Sequence, residues 1–167
     1  MSGPGYEGVR GQRGYGGRIV IQPFARRLRD GKYNAKNYPF WGAVVKLLDE
    51  AGYYVTQVGV KDEEQLVPDF RINVPYVELQ KLVQEYDTFI SGDSFLQHLG
   101  WSTGKKGIVL WGKSDPLIFG HPENVNILKS RENLRPDQFG IWEGVKYDPK
   151  VFVEPEVVME ALCTLKL

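Results

Sequence analysis

Cysteine is nearly missing from this chain. The single Cys163 excludes an internal disulfide and any metal site built from several thiolates. Set among the apolar residues of a final helix, it reads as a core or near-surface spectator. An excess of one charge is missing too: 21 Lys+Arg against 21 Asp+Glu give a formal net charge of zero. The signs are interspersed, so bulk electrostatics point neither to nucleic acid nor to an anionic membrane. Only the beginning departs from this, with Arg10, Arg13, Arg18, Arg26, Arg27 and Arg29 close together. No apolar run is long enough to span a bilayer, and the N-terminus lacks the hydrophobic core of a signal peptide. No membrane span and a cytoplasmic location are therefore expected.

What is there suits one ordinary domain. The 167 residues, 42% hydrophobic and 25% charged, suffice to bury a core in a soluble globular fold. Residues 1–17 are glycine-rich, with Tyr6, Tyr15 and arginines interleaved and no periodicity. They read as a flexible leader. Contact with RNA or phosphates, or the remnant of a linker to a preceding domain, are the other readings. The domain is then 18–167.

The stretch Phe89 to Leu99 anchors the rest. An apolar run ends in Ser91-Gly92-Asp93-Ser94, followed by Phe95, Leu96 and Leu99 near helical spacing. That pattern predicts a buried strand breaking at glycine into a helix, with Asp93 as N-cap. Amides of the first turn and the helix dipole then favour an anion, with His98 near the same mouth.

Further strands are predicted at Arg18–Pro23, Tyr53–Gly59, Phe70–Val74, Ile108–Trp111 and Asn124–Leu128, and helices from Phe40 to Ala51, from Pro75 to near Tyr86 and over Val153–Leu167. Ile108 to Trp111 is apolar throughout, as in a strand buried on both faces. The alternation gives an α/β fold: a single Rossmann-like domain, its mostly parallel sheet flanked by helices. Ligands of such sheets bind outside the carboxyl ends of the strands. There the loop after Pro23, the Gly59 turn, the Asp93 helix and the Gly112 turn converge. The first loop is long and basic, carrying Arg26, Arg27, Arg29, Lys32 and Lys36; it is either functional or merely solvated. Asp62, Glu63 and Glu64 offer acceptors for a ribose, or form a solvated helix start.

Taken in order, Lys36-Asn37-Tyr38-Pro39, Gly59 to Glu63, Asp93-Ser94 to His98, and Gly112-Lys113-Ser114-Asp115-Pro116 resemble the C-terminal half of the heptosyltransferase family of glycosyltransferases, family nine. The resemblance spans roughly 18–128. It implies one half of a two-domain GT-B fold that binds a nucleotide-diphosphate sugar for inverting, metal-independent transfer. Lys36 would then meet the diphosphate, since a cation lowers the cost of charge on the leaving nucleotide, and Glu63 the ribose. Asp93 would face the sugar or phosphate, backed by the amides of Ser94 and Phe95, with His98 supporting the site and the Gly112 turn bordering it. Asp93 and His98 are the catalytic candidates. No cofactor or metal is implied, the nucleotide sugar being substrate.

Three positions depart from the family: Phe95 stands where glycine is common, and Lys105-Lys106 replaces a small residue and proline. The acceptor-binding half with its candidate base is not among these motifs, so transfer is expected to need a homodimer or an acceptor-domain partner chain. The alternatives are a non-catalytic nucleotide-binding protein, for instance one recognising a signalling nucleotide, and a scaffold on a degenerate glycosyltransferase fold. The scaffold would use an aromatic surface around Trp101, Trp111 and Trp142.

Overall fold

Strands β1 (Gly17–Gln22), β2 (Tyr53–Gly59), β3 (Asp69–Ile72), β4 (Thr88–Ser91), β5 (Ile108–Trp111) and β6 (Val125–Leu128) form one sheet in a computed structural model that describes residues 16–167. Their order is β3-β2-β1-β4-β5-β6 and every pairing is parallel. The predicted α/β class with a mostly parallel sheet is therefore found, in its all-parallel form. The strand β1 opens one residue before the expected boundary, and the rest of the leader, 1–15, lies outside the described residues.

The central strand shows why the sheet is buried on both sides. Ile19 and Ile21 point into one core and Val20 into the other, and all three are wholly buried. The first core is covered by α1 (Trp41–Glu50) and α5 (Pro155–Thr164), the second by α2 (Tyr76–Glu85) and α3 (Phe95–Ser102). Each helix offers a stripe at helical spacing: Trp41, Val44 and Leu48 on α1, Leu79, Leu82 and Val83 on α2. Among the described residues no helix is long and apolar enough to cross a membrane.

Several expectations are corrected here. The acidic run 61–64 starts no helix: β2 returns to β3 through a turn and extended chain. Gln57 braces this crossover, its amide donating to the Glu64 carbonyl at 2.9 Å and its oxygen accepting from Leu66 N–H at 2.7 Å. Cys163 is exposed on α5, which leaves the near-surface one of its two readings. Trp111 cannot belong to the expected aromatic surface, because it is buried at 1% exposure, its indole N–H donating to Asn126 Oδ1 at 3.0 Å; Trp101 is exposed.

A short helix α4 (Pro116–Phe119) was not foreseen, although Asp115-Pro116 carries its signal. Proline suits the first helical position, and Asp115 Oδ1 accepts the Leu117 N–H at 2.9 Å. Arg131 grips the same carboxylate through both its terminal nitrogens, at 3.0 and 2.8 Å. This grip holds the Asp115 carboxyl below the usual carboxylate range. A depressed folded value contributes stability above the unfolded pKa of about 3.9 and loses it as pH falls through the folded value. Asp115→Asn is thus expected to lower the urea midpoint at pH 7, the gap to wild type closing progressively below about pH 4. A gap independent of pH would assign the loss to packing.

Candidate active site

Between β1 and β4 the strand order reverses, so the loops leaving their carboxyl ends part and open a crevice. A cleft of about 940 Å³ fills it, the size of a small-molecule site. Its walls are the loop from Gln22 to Asn37, the Gly59–Glu64 turn after β2, and Asp93–Phe95 at the start of α3.

The β1 loop has no regular structure, and two buried asparagines replace it. Asn37 Oδ1 accepts the Ala25 N–H at 2.8 Å; Asn34 Oδ1 accepts the Lys36 N–H at 3.0 Å while its amide donates to the Arg26 carbonyl at 2.9 Å. Side chains thus satisfy backbone groups that a helix or strand would otherwise pair. The Lys36 backbone is fixed as a result. Its ammonium lies 3.1 Å from Asp93 Oδ2.

Asp93 is not the N-cap. Ser94 takes that position, and the first-turn amide of Leu96 is received by Gln22 Oε1 at 3.0 Å, which also accepts from Ser94 Oγ at 2.7 Å. The Asp93 carboxylate turns instead to stronger donors. Besides Lys36 it accepts from Gln97 Nε2 at 3.0 Å and Ser114 Oγ at 3.2 Å. Three donors on one largely buried carboxylate take most of its roughly four acceptor sites and fix its orientation.

Opposite this pair, Glu63 folds inward over Gly59. Its Oε1 accepts the Val60 N–H at 3.0 Å, and a Cβ on Gly59 would stand 1.8 Å from that oxygen. Burial pushes the Glu63 carboxyl above its ordinary value, offset in part by the Val60 amide and the Arg27 charge. A raised folded value means that the ionised group costs stability at pH 7 and ceases to cost it as pH falls through that value. Glu63→Gln is therefore expected to keep or raise the urea midpoint at pH 7. A variant that loses stability would make Glu63 a structural residue.

Two expected site residues stand elsewhere. His98 points away from the cleft to the exposed face of α3, where its Nδ1 pairs with His121 Nε2 at 2.8 Å. Burial and His121 hold its pKa down, against the opposing pull of Asp93. The helical repeat explains the miss: Gln97, four residues after Asp93, is the side chain that returns to it. Gly112 is reserved for packing, since a Cβ there would meet the Phe152 ring at 2.6 Å. Ser94 and Phe95 do line the cleft, and the Phe95 ring tilts against Tyr76 with centroids 6.0 Å apart.

Gln22, Asn34 and Gln97 were missed by sequence reasoning. Only Gln97 carried a local signal, its i+4 spacing from Asp93. Among the described residues no group of three or more His, Cys, Asp or Glu side chains is placed to hold a metal ion.

Residues 12–138 match the family described as glycosyltransferase family 9 (heptosyltransferase). No curated protein matches the chain. Among solved structures it is similar to E. coli ADP-heptose LPS heptosyltransferase II, with 18% identity, a TM-score of 0.59 and coverage of 99% of this chain and 52% of that one. It is also similar to the glycosyl transferase family 9 protein of Veillonella parvula DSM 2008, with 16% identity, a TM-score of 0.62 and coverage of 96% and 50%. A third is TibC of enterotoxigenic E. coli H10407, a dodecameric iron-containing heptosyltransferase, whose complex with ADP-D-beta-D-heptose gives 16% identity, a TM-score of 0.59 and coverage of 89% and 44%. The chain spans about half the length of these structures. At such identities the likeness shows the fold.

Proposed function

Because this chain belongs to glycosyltransferase family 9, we propose that its cleft binds a nucleotide-diphosphate sugar, as donor for inverting, metal-independent glycosyl transfer. The observation that carries this reading is the Lys36–Asp93 pair at 3.1 Å, set at the β1/β4 crevice across from an inward-folded Glu63. Lys36 exchanges its carboxylate partner for the diphosphate, and Glu63 accepts from the ribose. Asp93, held by Gln97 and Ser114, faces the sugar side.

In the transfer step an acceptor oxygen attacks the anomeric carbon as its bond to the diphosphate oxygen breaks. The electron pair leaves with the diphosphate, where Lys36 offsets the growing charge. The acceptor's proton goes to a base on the acceptor-binding partner, either a second copy or another chain. Asp93 is engaged by three donors and acts as an orienting group, while His98 on the outer face of α3 takes no part. A cytoplasmic location belongs to the same proposal.

A thermal-shift panel of ADP-, UDP-, GDP- and CMP-sugars with the free nucleotides, on wild type and Lys36→Met, tests the reading. Ligand at a hundred times its dissociation constant adds about 2.7 kcal/mol, a readily measured shift in a domain of this size. A selective shift lost in the variant supports donor binding. Absence of any shift leaves a fold without its ligand.

A further inference from the structure

Between β6 and α5 the chain runs from 129 to 148 as a strap whose one regular piece is the 3-10 turn Arg131–Asn133, and its Trp142 lies beyond the residues that match the family. The strap crosses the carboxyl edge of the sheet and is fastened at both ends of its path. On the β5 side Gln138 donates to the Lys113 carbonyl at 2.9 Å and accepts the Asp115 N–H at 2.8 Å. On the β1 side the Tyr147 hydroxyl donates to the Asn37 carbonyl at 3.1 Å, one residue from Lys36.

This anchoring brings the Trp142 ring beside Lys36, which lines the cleft. Lys36 Nζ lies 5.1 Å from the ring centroid, inside the range of a cation–π contact. The guanidinium carbon of Arg135 lies 4.0 Å from the same centroid. Arg135 is spent inside the strap, donating to the carbonyls of Gly140 and Ile141. Its work is to hold the tryptophan, which leaves Lys36 as the one of the two cations that lines the cleft.

We propose that Trp142 is the positioning residue for Lys36. A lysine has four rotatable bonds, and ordering it on a ligand costs side-chain entropy. With the carboxylate of Asp93 at 3.1 Å and the indole ring at 5.1 Å, the ammonium is ordered before any ligand arrives. The ligand class that gains is a diphosphate, because the ring, unlike Asp93, does not compete for the ammonium's hydrogen bonds. The proposal rests on the donor reading above for its ligand but not for its geometry.

The test separates the two. Trp142→Leu removes the π face and keeps apolar volume; Trp142→Phe keeps a π face, and Trp142→Met replaces the leucine variant should that chain not fold. Labelling of Lys36 by limiting acetic anhydride, read by mass spectrometry of its peptide, needs no ligand. It is expected to rise about two- to fivefold in Trp142→Leu and to stay near wild type in Trp142→Phe. ADP and UDP affinity, measured by calorimetry, is expected to fall by a similar factor in the leucine variant alone. Unchanged labelling in Trp142→Leu, or equal impairment of both variants, overturns the proposal. The expected labelling pattern, in a protein whose wild type binds none of the nucleotides or nucleotide sugars of the panel above, supports the positioning role and overturns the donor reading.

Discussion

Lys36→Met is expected to weaken ADP or UDP binding about 10- to 100-fold while leaving the chain folded. A hydrogen bond to a charged group contributes about 1.5–3 kcal/mol, and each 1.4 kcal/mol is tenfold in affinity; the diphosphate would lose at least one such bond. The stability cost is smaller, because Asp93 keeps Gln97 at 3.0 Å and Ser114 at 3.2 Å and its side chain is not wholly cut off from water. Lys36→Arg keeps the charge but not the point geometry, and should recover part of the loss. Calorimetry with both nucleotides checks the first statement and urea unfolding the second. Wild-type affinity in Lys36→Met would remove the diphosphate from this end of the cleft.

Gly107→Ala has the largest expected effect on stability, about 1–3 kcal/mol. Phe89 is wholly buried on β4, and its ring fills a slot between two glycines. A Cβ on Gly107 would stand 2.3 Å from that ring, and one on Gly100 of α3 2.2 Å. Neither contact is possible for real atoms, and the packed interior leaves the ring little room to retreat. Phe89→Leu in the Gly107→Ala background should return part of the loss, a coupling that a double-mutant cycle measures. Simple additivity would show that the alanine acts on the backbone rather than on the ring.

These two residues also mark what a sequence discloses. The strands announce themselves: Ile108 to Trp111 is apolar at every position because both faces are covered, and the Tyr53–Gly59 run ends where the structure ends it. The Lys36, Glu63 and Asp93 positions followed from the resemblance, and the fold brings all three to one cleft. What local pattern left hidden is the pairing across long separations.

Asp93 looked like a cap because its natural competitor, Gln22, sits more than seventy residues upstream. His98 was assigned to the mouth on sequence distance, whereas helical geometry gives that direction to Gln97. Gly112 read as a ligand turn because Phe152, which occupies its missing side chain, comes from the far end of the chain. Trp142 read only as part of an aromatic surface, since the fastening of the strap by Gln138 and Tyr147 is what sets it beside Lys36.

The central claim is that a nucleotide-diphosphate sugar occupies the β1/β4 crevice. Amide NMR of the whole chain, titrated with ADP-, UDP- and GDP-sugars in turn, tests it most directly. The account predicts that one of them moves resonances of Ala25–Asn37, Gly59–Glu64 and Asp93–Leu96 together, with the outer face of α2 silent. Perturbations confined to other surfaces, or none with any sugar nucleotide, would contradict it.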